Sequence, residues 1–165
     1  MNKFIIKIFL VFFLFISFVR AETLQKFEIS GNKRISDQTI IIFSELEINE
    51  DITKSKLDKV IKNLYQTNFF RNVTLSFEKQ TLFLKVEENP IIEKLQITGI
   101  KKQSLVEFIK DKLKLSEMKS FNQELLSADI NLIYNILKTN GYYFADITSS
   151  KSLNDELNTI DLKIE

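Results

Sequence analysis

Ser36, Ser104 and Ser120 each stand at the start of an amphipathic stretch, where a hydroxyl could serve either chemistry or architecture. A serine becomes a nucleophile only beside a base, usually histidine. This sequence contains no histidine and no cysteine. Ser-His-Asp chemistry, thiol nucleophiles, disulfides and the common zinc ligand sets are thereby removed. Asp, Glu, Lys and Tyr remain for acid–base work, but such a site favours tight loops, and the chain has three glycines in 165 residues. The serines read instead as helix N-caps, each accepting from a free backbone N–H of the first turn. Ser104-Leu-Val-Glu107 and Ser120-Phe-Asn-Gln123 have the spacing of a capping box. The chain therefore reads as a non-enzyme without catalytic, cofactor-binding or metal-binding residues.

Residues 1–21 read as a cleavable secretory signal. Lys3 and Lys7 precede an apolar run from Ile8 to Val19, and Val19-Arg20-Ala21 closes it with a small residue. That run is well short of the roughly 20 apolar residues that span a bilayer. Cleavage removes three of the 23 basic residues and no acidic one, leaving 20 against 22 and a net charge of −2. Neither sign dominates, so no nucleic-acid partner is expected.

The remainder is two repeats. Lys26-Phe-Glu-Ile-Ser-Gly31 returns as Lys94-Leu-Gln-Ile-Thr-Gly99, 68 positions on, and Thr67-Asn68 returns as Thr139-Asn140. The sequence predicts units at 22–90 and 91–165, with Pro90, the only proline, at the seam. In the first unit Phe27 and Ile29 alternate with Lys26 and Glu28, as in a half-buried strand. A helix follows Ser36, offering Ile40, Ile42 and Phe43 to a core. A second, from about Thr53, carries Leu57, Val60, Ile61, Leu64 and Tyr65 as one apolar stripe. Asn68 ends it as a residue tolerant of the left-handed conformation. Two alternating strands complete the unit, with Val73, Leu75 and Phe77 and then Leu82, Leu84 and Val86 inward.

The second unit repeats the order. Leu95 and Ile97 face inward, and a long helix carries Leu126, Ile130, Ile133, Tyr134 and Leu137. Gly141 ends that helix. Tyr143, Ala145 and Ile147 then alternate in a strand, answered by Ile160, Leu162 and Ile164. Phe70 and Tyr143 are expected to plug the space between helix end and sheet. Each unit is thus strand, helix, helix, strand, strand, an α+β arrangement.

Gly31-Asn32 after a strand, Leu64-Tyr65-x-Thr67-Asn68-x-Phe70-x-x-Val73 and Val86-Glu-Glu-Asn-Pro90-x-Ile92 together resemble POTRA domains, the polypeptide-transport-associated modules. The seam from Glu88 to Gly99 is similar to the junction of the first two such domains in outer-membrane barrel-assembly factors. Ile100 departs from the expected second Gly-Asn, and Asn68 stands in place of the usual glycine. The resemblance implies two tandem β-α-α-β-β domains, each a three-stranded mixed sheet under two helices with strand order first–third–second. It also implies a periplasmic module at the outer membrane, continued elsewhere by further domains and a C-terminal membrane barrel that this chain lacks. The implied partners are unfolded outer-membrane proteins and accessory lipoproteins or periplasmic chaperones, with no cofactor.

That strand order makes the second strand of each unit an edge able to accept an extended client. The residues concerned are Asn72, Val73, Thr74, Leu75, Ser76 and Phe77, and Tyr143, Phe144, Ala145, Asp146, Ile147, Thr148 and Ser149. Phe83, on the face opposite Leu82 and Leu84, is a candidate contact on the open sheet. The alternative is a POTRA-bearing translocation or cell-division protein anchored in the inner membrane. An RNA-binding KH fold would need a glycine loop between its helices, and 45–54 and 112–121 contain no glycine.

Overall fold

The computed structural model describes residues 22–165; the expected signal segment, 1–21, lies outside them. Two units of the same plan follow one another. The first comprises β1 (Lys26–Ser30), α1 (Asp37–Ser44), α2 (Lys54–Gln66), β2 (Phe70–Glu78) and β3 (Thr81–Glu88). The second comprises β4 (Ile91–Ile97), α3 (Gln103–Lys112), α4 (Gln123–Thr139), β5 (Ser149–Asn154) and β6 (Thr159–Ile164). The sheets are ordered β1-β3-β2 and β4-β6-β5, so the last strand of each unit is central. It runs parallel to the first strand and antiparallel to the second. The parallel pairing demands a long crossover, which the two helices supply.

The strand alternation is what creates the layers. Leu82, Leu84 and Val86 are buried under the helices, while Phe83, Lys85 and Glu87 take the opposite face. Ile160, Leu162 and Ile164 do the same in the second unit. A register shift at Arg71 lets Phe70 and Val73, three residues apart, both reach the core. The shift at Glu93 does so for Ile92 and Leu95. In each case one extra residue resets the pleat. Lys79 and Gln80, both at positive φ (49° and 63°), turn the first hairpin as a two-residue loop matched to strand twist. Gly31 (φ +87°) is obligatory, since a Cβ there would lie 2.1 Å from the Val86 carbonyl oxygen.

Helix ends follow the local chemistry, with corrections in the second unit. Ser36 caps α1 and Thr53 caps α2, accepting from Thr39 N and Lys56 N. Ser104 does not cap: α3 starts two residues earlier than that cap requires, at Gln103 after Lys102, without a side-chain cap. Ser120 bridges to Ile91 instead, and Asn122 caps α4 by accepting from Glu124 N and Leu125 N. The asparagine lies nearer the helix and takes two orphan donors with one oxygen. Asn68 (φ 60°) and Gly141 (φ 93°) both end helices in the left-handed region. At Gly141 the N–H groups of Gly141 and Tyr142 bond Lys138 O and Leu137 O, the pattern of a Schellman end. At Asn68 the Thr67 hydroxyl takes over one of these links, donating to Leu64 O and accepting from Phe69 N.

Three side-chain placements also differ. Ile42 is exposed, so α1 buries Ile40 and half-buries Phe43. Phe70 fills the space below its helix end, but Tyr143 is 63% exposed and does not. The strand expected at 143–149 begins only at Ser149. Thr148 and Glu165 exchange both backbone bonds at 2.9 Å, one step ahead of the Ser149–Ile164 pair that opens β5. Ala145 and Ile147 still turn inward and pack on the second core without a ladder.

Two buried carboxylates lock loops to the cores. Asp129, 1% exposed, accepts from Lys114 N (3.0 Å) and Leu115 N (2.8 Å), fixing the connection between α3 and α4. Glu88, at the end of β3, accepts from Lys33 N, Arg34 N and Ile35 N at 2.7, 2.9 and 3.0 Å. Its second oxygen sits 3.1 Å from Arg34 Nε. Burial acts most strongly on this group and would raise its pKa, but the three N–H donors and the guanidinium together hold it below the ordinary value.

Candidate functional site: two open sheet edges

Each sheet has two outer edges, and the protein's own segments pair with the residues leading into β1 and with the start of β4. Just before β1, Leu24 N bonds Glu50 O and Asn49 N bonds Leu24 O. Beside β4, Ile92 N bonds Lys119 O, Met118 N bonds Ile92 O, and Leu95 N donates to Glu117 Oε1. The edges on β2 and β5 are different. Val73 N donates to the Tyr65 hydroxyl at 3.2 Å, so it points away from β3. Antiparallel alternation then turns the backbone groups of Leu75 and Phe77 outward as well. Among the described residues none of the protein's own groups meets them. On β5 the Thr148–Glu165 pair faces inward, so Ser149, Lys151 and Leu153 are the residues whose backbone groups point out.

The sequence-derived candidates therefore separate. Asn72–Phe77 all lie on the exposed edge strand β2, with Val73 already capped by Tyr65. Of Tyr143–Ser149, only Ser149 belongs to β5. Tyr143 and the fully exposed Phe144 stand on an irregular segment with Asp146 and Thr148. Phe83, 39% exposed, sits mid-sheet between Glu28 and Ser76 over a shallow depression of about 210 Å³.

The sequence locates the seam at Pro90 but not the contacts across it. Asn122 Nδ2 donates to Asn68 Oδ1 at 2.9 Å, and Asn89 Nδ2 to Asn68 O at 2.9 Å. Phe121 N bonds Pro90 O, and Ile91 N bonds Asn158 O. Beside this asparagine-rich seam lies an open groove of about 740 Å³. Its apolar lining is Phe70, Pro90, Phe121, Leu125, Leu153 and Ile160, with Tyr65, Arg71 and Lys151 at its rim. Lys151 Nζ stands 5.3 Å above the Phe121 ring and bonds Gln123 Oε1. No linear pattern announces this groove, because its walls come from two units. Among the described residues no group of acidic side chains is placed to hold a metal ion, and no helix is long and apolar enough to cross a membrane.

Comparisons with known proteins agree with this architecture. The family model for POTRA (surface antigen variable number repeat) matches residues 90–165. The outer membrane protein assembly factor BamA of Neorickettsia risticii is 33% identical over 93 residues, 56% of this chain. Its counterpart from Neisseria meningitidis serogroup B is 27% identical over 107 residues, or 64%. This chain spans 13% of the length of either relative. Among solved structures, the N-terminal domain of Omp85 from Thermosynechococcus elongatus superposes with a TM-score of 0.57 at 16% identity. That match covers 86% of this chain and 61% of the other. The POTRA1-2 pair of Omp85 from Anabaena gives 0.52 at 17% identity, covering 86% and 93%. The second unit thus matches the POTRA family model, and the first unit repeats its element order and strand order.

Proposed function

We propose that this chain is a periplasmic POTRA module of an outer-membrane protein assembly machine. In this reading it holds extended segments of unfolded barrel proteins by β-augmentation. The units are read as 22–90 and 91–165 behind a leader at 1–21, in a protein that reaches the outer membrane through a barrel beyond this chain. Accessory lipoproteins or periplasmic chaperones of the machine are its further partners. The observation that carries the reading is the outward, unoccupied backbone of Leu75 and Phe77 on β2 and of Ser149, Lys151 and Leu153 on β5.

Such edges take a client by its main chain and are largely indifferent to its sequence. Each added backbone hydrogen bond contributes about 0.5–1.5 kcal/mol net, while ordering the client costs about 1–2 kcal/mol per residue. The two nearly cancel, so pairing over a few residues is weak and quickly reversed. That suits a module that passes its client onward. Partly buried Leu75 and Phe77 favour clients whose apolar residues alternate, since every second side chain falls on the helix side.

The test is a titration of isotopically labelled protein with an alternating apolar–polar peptide. Amide shifts should concentrate at Leu75, Phe77, Lys151 and Leu153. Shifts confined to α1–α4 would refute the reading.

A further inference from the structure

Resting on the augmentation reading, we infer that the groove between the two units is an anchor site for one bulky apolar side chain of an extended client bound along β5. The geometry fixes which client residue that is. Leu153 pairs with Ile160, and Ile160 is buried against the helices, so the Leu153 side chain is also on the helix side. Its backbone N–H and C=O point away from β6. A client residue opposite Leu153, running antiparallel, exchanges both backbone bonds with it and drops its side chain on the same face. That face opens into the groove that Leu153 shares with Phe121, Leu125, Pro90 and Phe70.

The occupant is specified by more than apolarity. The outward backbone of β5 requires an extended chain, and the lining requires a large apolar side chain at one position. Polarity extends the argument to the other unit. β5 reaches the groove near its end, at Leu153, and β2 starts there, at Phe70 and Arg71. A client antiparallel to β5 is therefore antiparallel to β2 as well. Tyr65 caps Val73 N near the start of β2, so along the regular part of that edge the next open N–H belongs to Leu75. One strand can then engage both edges, with the groove setting its register.

The chain contains no tryptophan, so a tryptophan in the client is the sole indole reporter. The probe is an alternating peptide of about twelve residues, roughly 40 Å long when extended, with one central tryptophan and a second version carrying alanine there. The tryptophan peptide should bind about tenfold more tightly, with a blue-shifted emission and amide shifts at Lys151 and Leu153. Leu153→Asp, at a half-exposed position, should abolish the blue shift. Lys151→Pro removes an outward N–H that the ladder does not use and should abolish binding to β5; the unchanged circular dichroism of both variants confirms their folding. If both peptides bind β5 equally and the indole stays in water, the anchor site is wrong and augmentation stands. Binding on β2 alone overturns the anchor site in the same way. If neither peptide moves any edge amide, both readings fall.

Discussion

The side-chain amide of Asn122 donates to the side-chain oxygen of Asn68 at 2.9 Å, joining the residue that caps α4 to the left-handed residue that ends α2. One asparagine therefore both starts a helix and ties the two units together. Asn122→Ala should cost about 1 kcal/mol through the lost cap. Asn68→Gly keeps the positive φ without strain and should cost less, by losing only side-chain bonds. A double-mutant cycle by urea denaturation should return a coupling of about 0.5–1.5 kcal/mol. Strict additivity would mean the contact does not hold the seam.

Glu88 binds the loop ahead of α1 through three N–H groups and Arg34. Glu88→Gln keeps one acceptor but loses the charge, and should destabilise the first unit by about 2 kcal/mol. The folded-state pKa is depressed, so this contribution is complete above the unfolded glutamate value and is lost as pH falls through the folded one. Acid titration followed by circular dichroism should show this low-pH loss in the parent, and a shallower one in Glu88→Gln.

Gly31 and Gly99 occupy equivalent turns with different surroundings. A Cβ at Gly31 meets the Val86 carbonyl at 2.1 Å, whereas at Gly99 the nearest atom is a Glu165 side-chain carbon at 4.0 Å. Gly99→Ala should cost only the left-handed strain, about 1–2 kcal/mol. Gly31→Ala adds a backbone collision and should cost well over about 3 kcal/mol. Thermal unfolding of the two variants separates them, and equal costs would contradict the close approach of Gly31 to β3.

Tyr65→Phe removes the hydroxyl that receives Val73 N–H. The edge gains an open donor next to Leu75, and Val73 should exchange its amide hydrogen about tenfold faster, with a stability loss of about 1 kcal/mol. Hydrogen exchange followed by NMR reads this directly. Unchanged protection at Val73 would mean that the hydroxyl is not its partner.

Much of the fold was legible because its signals are local. The alternation of Leu82, Leu84 and Val86 and the stripe Leu57, Val60, Ile61, Leu64 each fix a face without reference to the rest of the chain. Ser36, Thr53, Asn68 and Gly141 announce helix ends through their own backbone chemistry. Ser104 and Ser120 carried the same signal and misled, because a cap is decided by which residue the backbone leaves just outside the helix. The alternation of Tyr143, Ala145 and Ile147 does bury Ala145 and Ile147 in part, while β5 itself runs from Ser149 to Asn154.

By itself, then, the sequence determined the element order, the two cores and the absence of histidine and cysteine chemistry, because periodicity and composition are properties of neighbours along the chain. Only the tertiary structure decided which edges stay open, that Tyr65 caps one of them, that Glu88 and Asp129 are buried anchors, and that a groove lies beside the asparagine seam. Those features join residues tens of positions apart, and hydrogen-bond direction and shared walls exist only once the sheets are assembled.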